Sequence, residues 1–268
     1  MPQLPEKVQH ALESLDRSSY SPDVEAAQKE RQLILQKFPL SCWPTMTVEQ
    51  YALGHAAYEN SYCYHLEFFT PNLGSIRGGN ANKLLIFWTK KTNPLSWVYP
   101  AKYDSVEQAW GALRSGFVEA LELAGKGEFE GIVEIESLHG AFALLNKTLA
   151  TYFPDQFLPI SSNGHLTWFC KVLERPDLYE DSPHTVILNR RLLEYIRSIP
   201  QFSNWSPKEI ERFLYTNFPP STAGTRKVLK VAPGDNAHLW EDCLANGYIR
   251  IGWGDVGDLQ EFESKDEF

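Results

Sequence analysis

The run SPKEIERFLYTNFPP, residues 206–220, is delimited at both ends. Ser206 followed three residues later by Glu209 is a capping box, and Pro219-Pro220 cannot continue a helix. A helix of this length needs neighbours to cover its apolar face. Segments of the same kind precede it. TVILNRRLLEYIRSI (185–199) is amphipathic at helical spacing, and LPISSNGHLTWFCKVL gives a turn and then a helix from about Asn163. AFALLNKTLATYF (141–153) stops before Pro154. The second half of this stretch is therefore committed to helix packing.

Helices are also expected over 6–15, from Ser21-Pro22 to about 37, briefly after Thr47, and from a Ser105 cap to about 123. Between them the period changes. In YCYHLEFF (62–69), Tyr62, Tyr64, Leu66 and Phe68 alternate with Cys63, His65, Glu67 and Phe69, which is strand spacing. LLIFWT (84–89) reads as a second strand and WVY (97–99) as a third. The expected fold class is α+β: a small, mainly antiparallel sheet at 62–100, surrounded by helices from 1–60 and 105–218. PPSTAGTRK reads as a linker, centred on 221–226. After it, 227–268 reads as strand, helix, strand, too little to stand alone.

The chain has 268 residues and a formal net charge of −9, with an ordinary apolar fraction of 43%. A sizeable core can be buried. No apolar run approaches the roughly 18 residues of a spanning helix. The start lacks the basic-then-apolar layout of a signal peptide. The expectation is a cytoplasmic protein with no membrane partner. Cys42, Cys63, Cys170 and Cys243 are far apart and form neither a CxxC pair nor a disulfide framework.

The acidic balance argues against wrapping DNA by bulk electrostatics. Its distribution says more. Residues 1–67 carry five cations and nine acids, and 104–150 carry three cations and eight acids. Residues 68–103 carry Arg77, Lys83, Lys90, Lys91 and Lys102 and no acid. The loop LGSIRGGNANK (73–83) lies in this basic island. Gly78 and Gly79 free backbone N–H groups for an anion, Arg77 and Lys83 can neutralise phosphates, and Asn80 and Asn82 can bond to sugar or base edges. Lys90 and Lys91 extend the track. The other reading of the same residues is a turn, since Gly-Gly and Asn permit positive φ. Trp88, Trp97 and Trp110 lie in or just beyond the island and supply either stacking surface or core.

No catalytic or metal constellation is convincing, and no cofactor is expected. Asp258 with Glu263-Ser-Lys265 imitates a metal-dependent nuclease, but QEFESK is too polar for the strand such a site needs. Cys63 and His65 share a strand face without a second pair of ligands. GSIRG is not a nucleophile elbow, because Ser75 directly follows the first glycine. His165 is expected in a helix's first turn as an ordinary surface or cap-region residue. Lys171, Arg175, Arg190, Arg191 and Arg197 form either a basic face or local ion pairs.

The blocks TMTVEQYALG, YCYHLEFFTPNLGSIRGGNANK, YFPDQFLPISSNGHL, NWSPKEIERFLYTNFPP and KVAPGDNAHLWEDCLANGYIRIGWGDVGDL, in that order, resemble the N-terminal half of McrB-like AAA+ ATPases of modification-dependent (type IV) restriction systems. The last block resembles the opening of a PUA/EVE-like domain. The resemblance implies a DNA-recognition region acting in antiviral defence. Its partners would be DNA, including modified duplex, an AAA+ motor and a separate nuclease subunit. No GxxxxGK[ST] phosphate loop occurs in these residues, so nucleotide hydrolysis is not expected of them and the module is expected to be non-catalytic. In PUA/EVE-like relatives an aromatic pocket is implied to hold an extruded modified base. Trp253, between Gly252 and Gly254, is the candidate ring, its alternative being an edge-of-core tryptophan. A different class of function remains open: an interaction scaffold in which 141–218 docks another subunit or a phage protein through a wide apolar groove.

Overall fold

The structure is a computed structural model that describes residues 4–55, 60–78, 80–89, 96–220 and 239–246. The chain divides into two compact units, Met1–Pro220 and Ser221–Phe268.

The first unit is rich in helix and carries a small two-stranded antiparallel sheet. The order is α1 (Glu6–Glu13), α2 (Ser21–Lys37), α3 (Val48–Tyr51), α4 (Tyr62–Tyr64, continued by a π-helix over His65–Phe69), β1 (Phe87–Thr89), β2 (Ser96–Val98), α5 (Val106–Lys126), α6 (Phe129–Val133), α7 (Phe142–Tyr152), α8 (Asn163–Val172), α9 (Thr185–Arg197) and α10 (Pro207–Asn217). Hydroxyl caps begin α3, α4, α5, α8 and α10: Thr47, Ser61, Ser105, Ser162 and Ser206 each accept from a backbone N–H in the first turn. At Ser206 the capping box is complete, with Glu209 accepting in return from the Ser206 N–H at 2.8 Å.

The largest correction concerns residues 62–69, expected as a strand and found as a helix. Tyr62, Cys63, His65 and Leu66 are buried, which is the pattern of one helical face. The aromatics had occupied both phases of a two-residue repeat, so alternation alone could not identify the element. Ser61 starts the helix and the π turn widens it before Thr70. The freed carbonyls are answered from α7. Lys147, fully buried, donates through Nζ to Leu66 O at 2.5 Å and Thr70 O at 2.7 Å. Thr70 Oγ1 donates to His65 O and Leu66 O.

The strand expected over 84–89 begins later. Residues Ala81–Leu84 form a 3-10 turn, and Leu85 sits at φ +61° and ψ −42°, with Ile86 N–H donating to Leu84 O at 2.7 Å. Among the described residues, this tight three-residue turn leaves Phe87–Thr89 to pair with Ser96–Val98. Phe87 faces Val98, Trp88 faces Trp97 and Thr89 faces Ser96.

Two hydrophobic clusters fill the unit. The first gathers Ile34, Trp43, Tyr51, Tyr62, Leu66, Phe117, Leu145 and Leu149 around α5 and α7. The second gathers Val8, Leu166, Phe169, Leu192, Ile196, Phe202, Ile210 and Phe213 around α8, α9 and α10. Residues 158–160 are held against α9. Asn189, buried on α9, accepts from Leu158 N–H and donates to Leu158 O and Ile160 O, so that segment's polar backbone is satisfied without a sheet partner.

In the second unit the described element is α11 (Trp240–Asn246), with Glu241 and Asp242 in its first turn. It falls within the expected helix. The strands expected on either side of it lie outside the described residues, as do Trp253, Asp258, Glu263 and Lys265. Among the described residues, no helix is long and apolar enough to cross a membrane.

Candidate nucleic-acid interface

The glycine-rich loop leaves the π-helix through a short turn. Glu30 on α2 anchors that turn, accepting from Asn72 N–H at 2.8 Å and Asn72 Nδ2 at 2.6 Å. Gly74 then passes against Pro159. Its φ is +88°, and a Cβ there would stand 2.3 Å from Pro159 O. Only glycine permits both the backbone angle and the approach.

Beyond Gly74 the loop folds around one cation. Lys83 Nζ reaches Glu67 Oε1 at 2.8 Å, Ile76 O at 2.6 Å and Gly78 O at 2.7 Å. An ammonium has three donors, and all are used. The Lys83 and Glu67 side chains are 16% and 10% exposed, so this pair is an internal latch. Lys83, expected to neutralise phosphates, has its three donors taken up inside the protein here. Its charge is met by Glu67, and it shapes the loop that the other residues stand on.

Those other residues face outward. Arg77 is exposed, and its guanidinium carbon lies 5.7 Å from the Phe68 ring centroid. Among the described residues it makes no ion pair. Gly78 has φ +90° with open space around it. Asn80 Oδ1 accepts from Asn82 N–H at 2.9 Å and so caps the 3-10 turn, while both side chains remain exposed. Gly79, Lys90 and Lys91 lie outside the described residues.

The tryptophans separate by role. Trp110 is buried and donates to Met46 O at 2.9 Å, which makes it core. Trp88 and Trp97 are half-buried and meet edge-on across the hairpin at 5.0 Å, with His55 stacked on Trp97 at 5.1 Å. The strand reading overlooked a further aromatic group: Phe68 and Phe69 are both exposed at the end of the π-helix, with Tyr64 packed against each. A strand would have sent the two phenylalanines to opposite faces. The adjacent Phe-Phe before Thr-Pro was the available signal.

The remaining candidates resolve into structural roles. Cys63 is buried, and desolvation pushes its thiol well above the ordinary range. Among the described residues no group of His, Cys, Asp and Glu could hold a metal. His165 lies in the first turn of α8, where its N–H donates to the capping Ser162 hydroxyl. The His165 ring sits half-buried with Nδ1 2.7 Å from Tyr215 Oη. Arg175 pairs with Asp177, Arg190 with Glu194 and Arg191 with Asp181. Arg197 donates to Asp155 O.

In comparisons with known proteins, the chain matches no family model, no curated protein and no solved structure.

Proposed function

We propose that this chain is a non-catalytic DNA-recognition module, related to the N-terminal region of McrB-like restriction ATPases and acting beside a motor and a nuclease carried elsewhere. One observation supports this most. Arg77 stands exposed and without an acidic partner among the described residues, on a loop held rigid from beneath by Lys83 and Glu67. A cation on a fixed platform loses little freedom when it meets a phosphate. Gly78, Asn80 and Asn82 border it and add exposed polar contacts. Lys90 and Lys91 follow in sequence and would extend the track.

In this reading phosphate contacts set register, and selectivity comes from base contacts and from the second unit. The type IV relationship makes modified duplex the natural target. The scaffold alternative draws less support. The groove between α6 and α9 mixes Phe129, Val133 and Ile187 with Glu130, Glu134, Asp181, Arg190, Arg191 and Glu194, so it is not the wide, purely apolar surface that the scaffold reading expects.

The test is binding to a panel of duplexes of one sequence that differ only in base modification. The proposal expects measurable binding at moderate salt and a preference for one modified duplex. Equal binding to every duplex would remove the modification reading, and no binding to any would remove the DNA reading.

A further inference from the structure

The π-helix turns a ridge of aromatic rings to the surface. Phe68 is 39% exposed and Phe69 is 49% exposed. Tyr64 wedges them, with ring centroids at 4.9 Å from Phe68 and 5.4 Å from Phe69. Exposed rings are ordinary when scattered singly, but a contiguous pair fixed by a third ring is a built surface.

Two cations stand near this ridge. Arg77 lies 5.7 Å from the Phe68 ring. Lys37 is linked to Phe69 through His65: its Nζ is 3.2 Å from His65 Nε2, and the His65 ring is 5.3 Å from Phe69. For Lys37 to donate there, the imidazole must accept and therefore be neutral. Burial favours that state, and the neighbouring Lys37 charge adds to it. Lys37 is exposed and keeps two donors for other partners. Glu67 is paired with Lys83, and Glu30 accepts hydrogen bonds from Asn72. Residues 68–89 add no acid.

An aromatic platform with cations near it matches the chemistry of an unpaired nucleic-acid strand: bases stack on the rings, and phosphates meet the charges. A duplex cannot use the rings, because its base faces are covered. We infer that the Tyr64–Phe68–Phe69 ridge, with Arg77 and Lys37, binds unpaired nucleic acid by stacking. This deepens the nucleic-acid reading above and rests on it. Charge complementarity favours this occupant over a protein, because the cations beside the rings match a phosphate chain.

The experiment uses labelled (dT)12 and a duplex of equal length, measured by fluorescence anisotropy with the full chain. Three variants are compared: Phe68→Ala with Phe69→Ala, Phe68→Leu with Phe69→Leu, and Arg77→Ala. Both phenylalanines are exposed, and melting curves confirm that the variants fold. Stacking predicts that the alanine and leucine pairs each weaken (dT)12 binding by roughly tenfold to a hundredfold while duplex binding moves by less than about twofold. Arg77→Ala weakens both ligands. If the leucine pair binds (dT)12 as the parent does, apolar area rather than a π face is what matters, and the stacking inference fails while duplex binding still supports the broader reading. If neither ligand binds the parent chain, both readings fall. Self-association in sedimentation that the alanine pair abolishes would assign the ridge to a second copy and overturn the inference.

Discussion

Lys83 Nζ lies 2.8 Å from Glu67 Oε1, beneath the loop whose outer face carries Arg77. Glu67 Oε2 is buried without a hydrogen-bond partner among the described residues, so the carboxylate depends on that one lysine. Lys83→Met strands the buried charge and frees Ile76 O and Gly78 O. The expected cost is about 3 kcal/mol in urea unfolding. In a double-mutant cycle, adding Glu67→Gln recovers part of that loss. Strict additivity of the two substitutions would show that the latch carries no coupling.

Lys147 is fully buried, and desolvation lowers its pKa from 10.5 to about 7, partly offset by the charges of Glu30 and Glu67. Between these two values the unfolded chain binds more protons than the folded one. Stability therefore rises with pH from about 7 towards 10.5 and is insensitive to this group below 7. The expected gain across that window is on the order of a few kcal/mol. Lys147→Met removes this slope and leaves Thr70 O without its donor, while Leu66 O keeps only the Thr70 hydroxyl, costing about 1–3 kcal/mol for the carbonyl left dry. Urea denaturation at pH 7 and pH 9, parent against variant, measures both effects. An unchanged slope in the variant would assign the pH dependence to other groups.

Gly74→Ala forces a Cβ to within 2.3 Å of Pro159 O at a φ of +88°. Neither the proline carbonyl nor the loop can yield cheaply, because Asn189 holds the backbone just upstream at Leu158 and Glu30 holds Asn72. A loss of about 2 kcal/mol or more is expected, read as a lowered melting temperature. A variant that melts with the parent would mean that the loop does not depend on this contact.

Much of the helical frame is legible in the sequence because its boundaries are chemical. Ser105, Ser162 and Ser206 cap where hydroxyls precede apolar periodicity, and Pro154 and Pro219 stop what precedes them. Residues 62–69 were not legible, since Tyr, Leu and Phe filled both phases of a short repeat. What decides the matter is a buried lysine 77 residues beyond Thr70, which supplies the donor a widened helix end requires. The basic loop stood out through its lack of acids. The neutralisation of Lys83 did not, because Glu67 lies 16 residues earlier and reaches it only once 65–69 is helical. The ridge of Phe68 and Phe69 was hidden for the same reason.

On the proposed DNA-recognition reading, Arg77 would meet a phosphate. The most direct measurement is the salt dependence of duplex binding for the parent chain and Arg77→Ala. The account predicts that log K falls with log salt in the parent, and that the variant binds more weakly with a slope shallower by about one. Identical affinity and slope for the two proteins would contradict it.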